Sequence, residues 1–405
     1  MFPIPIRLKQ GLEWLLRWQY LGLCLLVLIT LTLHFTTILQ PSEPAFDETH
    51  YVKDARHIIH EHNTYRTEHP PLGKLFVVAG MLLFGDHALG WRFFSVIFGT
   101  LCIVLFYLIC RKLGMPEDAV LIAGFLIALD SLSFVQAGVA MLDVYSMAFM
   151  LGAFLLYLKG RHLSSGIAIG LSALAKLSGA LALPVIFLHW LFTRRPRPWQ
   201  FLKSMLLAPI SFVALMPLFD FAITHQLLNP IDQIITMLSQ SSTLTFAAYS
   251  TTIASRPWEW LLYPHILFYW YDPHYVGAVS FTIWALIIPV VIYMAFKAKG
   301  GSSPAIFGLS WFASTYLFWI PVSLITDRLT FPYYFYQTVG AICIGLGLGL
   351  SQLLNIWKSQ RTGKLRWIAV LVVSGYLLLH VGIFVILSPT FAKWVQVLEF
   401  FHKPY

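Results

Sequence analysis

Long apolar segments recur along almost the whole chain, from Tyr20 to Leu387, with only short polar breaks between them. A membrane-spanning helix needs about 20 mostly apolar residues, because the hydrocarbon core is roughly 30 Å thick and a helix rises about 1.5 Å per residue. Many of these segments approach that length. Composition agrees: 58% of the 405 residues are hydrophobic and 11% are charged, where a soluble domain carries roughly 25% charged. The surplus apolar surface must face lipid. We read residues 1–405 as one all-α, polytopic membrane domain of about eleven crossings, at 20–39, 91–110, 119–135, 138–158, 165–176, 178–193, 204–224, 276–296, 304–325, 331–353 and 367–387. The first stretch is longer than a signal-peptide core and lacks a small-residue cleavage site, so it reads as a retained span. The two segments flanking Lys176 are short for full crossings.

Alternate junctions carry clustered cations: Arg7, Lys9 and Arg17; Arg111 and Lys112; Lys159 and Arg161; Arg194, Arg195, Arg197 and Lys203; Lys297 and Lys299; and Lys358, Arg361, Lys364 and Arg366. These are 17 of the 27 basic residues, and only Glu13, Glu117 and Asp118 among the acids accompany them. The positive-inside rule makes these junctions, and the N-terminus, cytoplasmic. The net charge of +9 is therefore an orientation signal and calls for no nucleic-acid partner. The acidic groups face outward.

Two outer loops are long, 40–90 and 225–275. In the first, Asp47–His62 reads as an amphipathic helix and Leu72–Phe84 as an apolar helix too short to span; both would lie at the membrane surface or re-enter it. The second holds Pro257-Trp258-Glu259-Trp260 and Tyr269-Trp270-Tyr271, an interfacial aromatic belt or, alternatively, a surface for sugar stacking or acceptor-peptide contact.

The first loop opens on Phe46-Asp47-Glu48-Thr49-His50-Tyr51 and continues through Lys53, Arg56 and Arg66 to Glu68-His69-Pro70-Pro71-Leu72-Gly73-Lys74. Adjacent carboxylates alone are an ordinary loop feature. Here they share a water–lipid boundary with imidazoles and cations, next to a proline pair that presets the backbone of a first helical turn. Such a turn can hold His69 and Lys74 against the carboxylates, or His69 can simply cap it. Asp143, within Ala140-Met141-Leu142-Asp143-Val144-Tyr145, is an acid in an apolar run, which is costly unless it is paired or lines a site. Lys176 and Arg328 fall near the outer ends of spans. His50 and His69 with Glu48 and Glu68 match no metal-ligand spacing. Cys24, Cys102, Cys110 and Cys343 all lie in or beside apolar segments, as packing residues do. No cofactor or metal is required.

The chain resembles the protein O-mannosyltransferase family, and more broadly the polyprenyl-phosphate-sugar glycosyltransferases of the GT-C fold. The motifs carrying the resemblance are Phe46-Asp47-Glu48-x-His50-Tyr51, Glu68 to Lys74, Arg92, and Gln136 through Met141-Leu142-Asp143. Arg256-Pro257-Trp258-Glu259-Trp260 with Tyr269-Trp270, and Thr330-Phe331-Pro332-Tyr333-Tyr334-Phe335-Tyr336, complete them in family order. Gly138 stands where many members carry arginine. The resemblance implies inverting transfer of mannose from a polyprenyl or dolichyl phosphate to a Ser or Thr hydroxyl of protein, on the outer face of a bacterial-type plasma membrane. The donor's lipid docks among the helices. Asp47 is then the base, since a carboxylate within hydrogen-bond reach can take the acceptor proton, and Glu48 orients the acceptor or supports the base. Arg92 is the first candidate for the departing phosphate, with Lys74, Lys176 and Arg328 beside it, because growing negative charge needs fixed cations. His69, Gln136 and Asp143 complete the expected substrate site.

The nearest alternative is a related transferase acting on a lipid or glycan acceptor. A transporter would also be polytopic with buried charges, but it commonly shows corresponding, broken halves and a midplane site. Here the charges gather at one face and no halves correspond. The oligomeric state is left open by the sequence.

Overall fold

The computed structural model describes residues 18–391 except 194–197, 249–250, 252, 272–274 and 360–363. Arg7, Lys9, Glu13, Arg17, Arg194, Arg195, Arg197 and Arg361 lie outside the described residues. The described residues are mostly helical, with one two-stranded hairpin and connecting loops.

The elements run α1 (Trp18–Thr37), α2 (Glu48–Glu61), α3 (Pro71–Phe84), α4 (Ala88–Lys112), α5 (Glu117–Ala128), α6 (Ser131–Gly138), α7 (Leu142–Leu158) and α8 (His162–Ala175). A 3₁₀ turn (Leu177–Leu181) leads into α9 (Ala182–Thr193), α10 (Pro198–Thr224), α11 (Pro230–Ser242) and the short α12 (Glu259–Leu262). Strands β1 (Leu267–Trp270) and β2 (Tyr275–Gly277) pair antiparallel. Then come α13 (Phe281–Trp284), α14 (Ile287–Lys299), α15 (Ser303–Phe312), a π-helical turn (Ala313–Leu317), α16 (Trp319–Thr326), a 3₁₀ turn (Pro332–Phe335), α17 (Tyr336–Ser359) and α18 (Lys364–Leu387).

Six stretches among the described residues are long and apolar enough to cross a membrane: Tyr20–Thr37, Ala88–Lys112, Phe201–Thr224, Ser303–Thr326, Pro332–Asn355 and Trp367–Leu387. A seventh, α5 with α6, is bent by 57°. The remaining four of the expected eleven crossings rest on helices too short to meet that length. At 14 residues, α8 reaches about 21 Å at 1.5 Å per residue. The segment expected at 276–296 starts as strand β2 and the four-residue α13, so its helix is only Ile287–Lys299. The bend between α5 and α6 has a side-chain cause. Buried Asp130 caps α6, accepting from Ser133 N at 2.9 Å and Ser133 Oγ at 2.8 Å, and also from Ser280 N at 2.8 Å. A cap of this kind starts a new helix rather than continuing the old one.

Helices α7, α8 and α10 pack closely, and α7 and the end of α8 carry Asp143 and Lys176. Ser172 Oγ donates to Ser146 O at 2.7 Å and Ser146 Oγ returns to Ser172 O at 3.0 Å. On the other side of α8, Gly166 and Gly170 lie against Ser204, Ala208 and Ser211 of α10 so tightly that a Cβ at either position would clash. This small-xxx-small spacing lets helix backbones approach without bulky side chains.

Candidate active site

The Asp47-Glu48 pair sits at the start of α2, after a turn in which Phe46 takes φ +53°. A non-glycine residue in that region is uncommon and must be held by its surroundings. The Phe46 ring stacks on Tyr269 at 4.4 Å between centroids and meets Tyr333 edge-on at 5.7 Å. Successive helical residues point about 100° apart (3.6 residues per turn), so the two carboxylates diverge.

Glu48 turns inward and is fully buried. Its carboxylate accepts from Ala45 N and Ala140 N, both at 2.9 Å, and pairs with Arg92, Nη2 to Oε2 being 2.8 Å. Arg92 Nε shares both Glu48 oxygens at 3.0 and 3.2 Å, Nη1 donates to Ile38 O and Pro41 O, and Nη2 also donates to Glu43 O. All five guanidinium N–H groups are therefore occupied. Arg92, expected on the phosphate, is sealed in the protein; of the two roles expected of Glu48, orienting the acceptor or supporting the base, its burial against Arg92 fits the second, and together they fasten segment 38–48 to the N-terminal part of α4.

Asp47 turns the other way, onto a cavity of about 520 Å³. Tyr333 donates its hydroxyl to Asp47 Oδ2 at 3.1 Å, and among the described residues Oδ1 accepts no hydrogen bond. His69, Asp143, Lys176 and Arg328 line the same cavity, as do His50, Arg66 and Glu68. Lys176 ends α8 in an extended conformation and Asp143 lies in the first turn of antiparallel α7; Lys176 Nζ donates to Asp143 Oδ2 at 2.7 Å. The ammonium also faces the rings of Tyr333 at 5.4 Å and Tyr334 at 5.5 Å. Arg328 is tethered by a hydrogen bond to Ser241 O. Arg66 pairs with Glu68 at 2.9 Å.

Burial pushes the Asp47 carboxyl above the ordinary carboxylate range, against the pull of Lys176 and the Tyr333 hydroxyl. Burial, with Lys176, Lys74, Arg66 and Arg328 around it, holds His69 well below the usual imidazole range. His69 is therefore a neutral ring at physiological pH, its Nε2 3.3 Å from the Tyr51 hydroxyl.

Two more expected site residues lie off the cavity. Lys74 donates to Thr64 Oγ1 at 2.7 Å and Arg66 O at 2.5 Å, with Asp54 at 3.5 Å, so it braces the loop that carries Arg66. Gln136 Nε2 donates to the Tyr269 hydroxyl at 2.8 Å, one layer behind Phe46. A side chain at Gly138 would first meet the rings of His34 and Tyr275. Among the described residues no group of three His, Cys, Asp or Glu is placed to hold a metal ion. Sequence reasoning assigned nothing to Tyr333, Arg66 or Gln337. The Thr330–Tyr336 motif was the signal for the first, and nothing local pointed to the last.

The family model described as dolichyl-phosphate-mannose-protein mannosyltransferase matches residues 24–228. The polyprenol-phosphate-mannose–protein mannosyltransferase of Mycolicibacterium smegmatis is 34% identical over 135 residues, 32% of this chain and 26% of that protein. The same-named protein of Mycobacterium tuberculosis is 31% identical over 158 residues, 37% of this chain and 30% of that one. The match thus spans under a third of these relatives' length. In fold, the chain is similar to the S. cerevisiae protein O-mannosyltransferase Pmt1-Pmt2 complex bound to the sugar donor, with TM-score 0.69 and 12% identity over 92% of this chain and 90% of that one. It is similar also to ArnT from Cupriavidus metallidurans bound to undecaprenyl phosphate, with TM-score 0.58 and 17% identity over 91% and 74%. The architecture is that of the GT-C membrane glycosyltransferases. With the family model covering half of the chain, and with the Asp-Glu turn inside the matched part, this chain belongs to the dolichyl-phosphate-mannose-protein mannosyltransferase family.

Proposed function

We propose that the chain moves a mannosyl group, with inversion, from a polyprenyl phosphate to a Ser or Thr hydroxyl of a protein. One observation carries this reading: Asp47, with an uncommitted carboxylate oxygen, opens on a cavity that also holds Lys176, Arg66 and Arg328. The names of the relatives point to the same donor and acceptor.

In this reading Asp47 accepts the acceptor's proton as the hydroxyl oxygen attacks the anomeric carbon. The bond from that carbon to the phosphate oxygen breaks with its electrons on the phosphate. Lys176, Arg328 and Arg66 meet the growing charge, in a setting where fixed cations act without reorganising. Lys176, already paired with Asp143, lines the same cavity as the base. Glu48 and Arg92 hold the frame on which Asp47 is mounted. The cavity faces outward, in keeping with the basic ends of the described helices, among them Arg111 and Lys112 of α4 and Lys297 and Lys299 of α14.

The test incubates membranes holding the protein with labelled polyprenyl-phosphate mannose and a Ser/Thr peptide. Wild type labels the peptide, and Asp47→Asn lowers the rate by about 100- to 10,000-fold, the usual worth of a general base. Peptide labelling that survives the substitution removes Asp47 as base. Transfer to lipid instead of peptide assigns the chain to a lipid- or glycan-directed relative.

A further inference from the structure

We propose that Gln337 reads one hydroxyl of the donor sugar, and so sets which sugar the enzyme accepts; this rests on the donor reading above. Gln337 is the second residue of α17 and is 2% exposed, yet it lines the cavity. Two contacts fix it. Its side-chain Nε2 donates to Ser178 Oγ at 2.9 Å, and its backbone oxygen accepts from Trp311 Nε1 at 2.6 Å. One of the two Nε2 N–H groups is spent on Ser178, and Oε1 is left over. Among the described residues Oε1 accepts no hydrogen bond. It is not sealed either, unlike the buried and unpartnered Gln136 Oε1; it opens on the cavity.

The chemistry of that oxygen narrows its ligand. A carbonyl oxygen accepts only, so it has nothing to offer an ionised phosphate, whose oxygens also only accept. It calls for an O–H or N–H donor, and a sugar is a ring of O–H donors. Leaving a buried carbonyl without a partner is costly, so a ligand that supplies the hydrogen bond is favoured over one that lacks it. Position narrows it further. Ser178, the anchor of the amide, is two residues beyond Lys176, whose ammonium faces the Tyr333 and Tyr334 rings. If Lys176 takes the phosphate, the sugar attached to it lies against this same wall.

The experiment uses purified protein in lipid with a set of donors, each lacking one sugar hydroxyl. Wild type loses about tenfold in kcat/KM with one of them, the worth of a neutral hydrogen bond in a dry site. Gln337→Leu loses about as much with the complete donor and is no worse with that same deoxy donor. Gln337→Glu, which keeps an accepting oxygen, retains the discrimination. Ser178→Ala, which frees the amide to turn, weakens it while leaving the fold intact. The proposal is overturned if the loss in Gln337→Leu adds to every deoxygenation, or if the change lies in the acceptor KM alone. Wild type that transfers no mannose fails the donor reading instead. Gln337 is then judged on deoxy forms of whichever glycosyl donor is used, with the same two outcomes deciding.

Discussion

Replacing Arg92 by methionine separates a framing role from a phosphate-binding one. In the wild type all five guanidinium N–H groups are spent on Glu48 and on the carbonyls of Ile38, Pro41 and Glu43. Methionine fills much of the volume but leaves the Glu48 carboxylate fully buried with only the Ala45 and Ala140 N–H groups. Removing one partner of a buried ion pair costs about 3–5 kcal/mol, because the surviving charge is stranded. For a 405-residue chain that is a fall of roughly 4–6 °C in the unfolding midpoint, taking about 2 cal/mol/K of unfolding entropy per residue. Glu48→Gln alone costs a similar amount. The double variant costs less than the sum by about 2 kcal/mol, since neither charge is then stranded. The assay is thermal unfolding of the detergent-solubilised protein, run beside donor KM on the folded fraction. An unchanged midpoint in Arg92→Met, with a donor KM raised tenfold, would refute the reasoning and return Arg92 to the phosphate.

Three further outcomes are expected. Asp47 must be ionised to act, and burial raises its pKa while the Tyr333 hydroxyl lowers it; Tyr333→Phe therefore moves the acid limb of the kcat/KM–pH profile to higher pH, and a limb that stays or moves down contradicts this. Lys176→Met removes the cation beside Asp47, so it moves the same limb upward and raises donor KM by about 10- to 100-fold, the worth of a hydrogen bond to a charged group; an unaltered KM would take the phosphate away from Lys176. Lys74→Met strands buried Asp54 and lowers the unfolding midpoint, whereas donor KM is unchanged, as measured by the same pair of assays.

Apolar runs made most of the helices legible, because lipid demands length and hydrophobicity of each span and local pattern encodes both. The hairpin at 267–277 was hidden for the opposite reason: its aromatic, apolar residues satisfy a span as readily as a strand. The acidic pair could be found, but the division of labour within it could not. That division follows from a one-residue step around the helix and from a partner, Arg92, whose ligands are mostly backbone carbonyls that no side-chain pattern records. Lys176 and Asp143 were visible as charges in apolar surroundings, though their pairing depends on α7 and α8 running antiparallel. Tyr333 and Gln337 reach the site from 286 residues beyond Asp47 and 159 beyond Ser178, distances over which sequence alone carries no geometry.

Among the described residues, the cavity is assembled from stretches far apart in the chain, with Leu238, Ser241, Ser242 and Leu244 between the early and late ones. Asp47, His69, Asp143 and Lys176 come from the N-terminal half, inside the segment that the family model matches, while Trp319, Arg328, Tyr333 and Gln337 come from beyond residue 300. The late stretch is not passive wall, since Tyr333 donates to Asp47 and Arg328 is one of the cavity's cations. Exchanging segment 319–337 between relatives would therefore change the cavity wall and the hydrogen bond on Asp47 together, unless Arg328 and Tyr333 are kept.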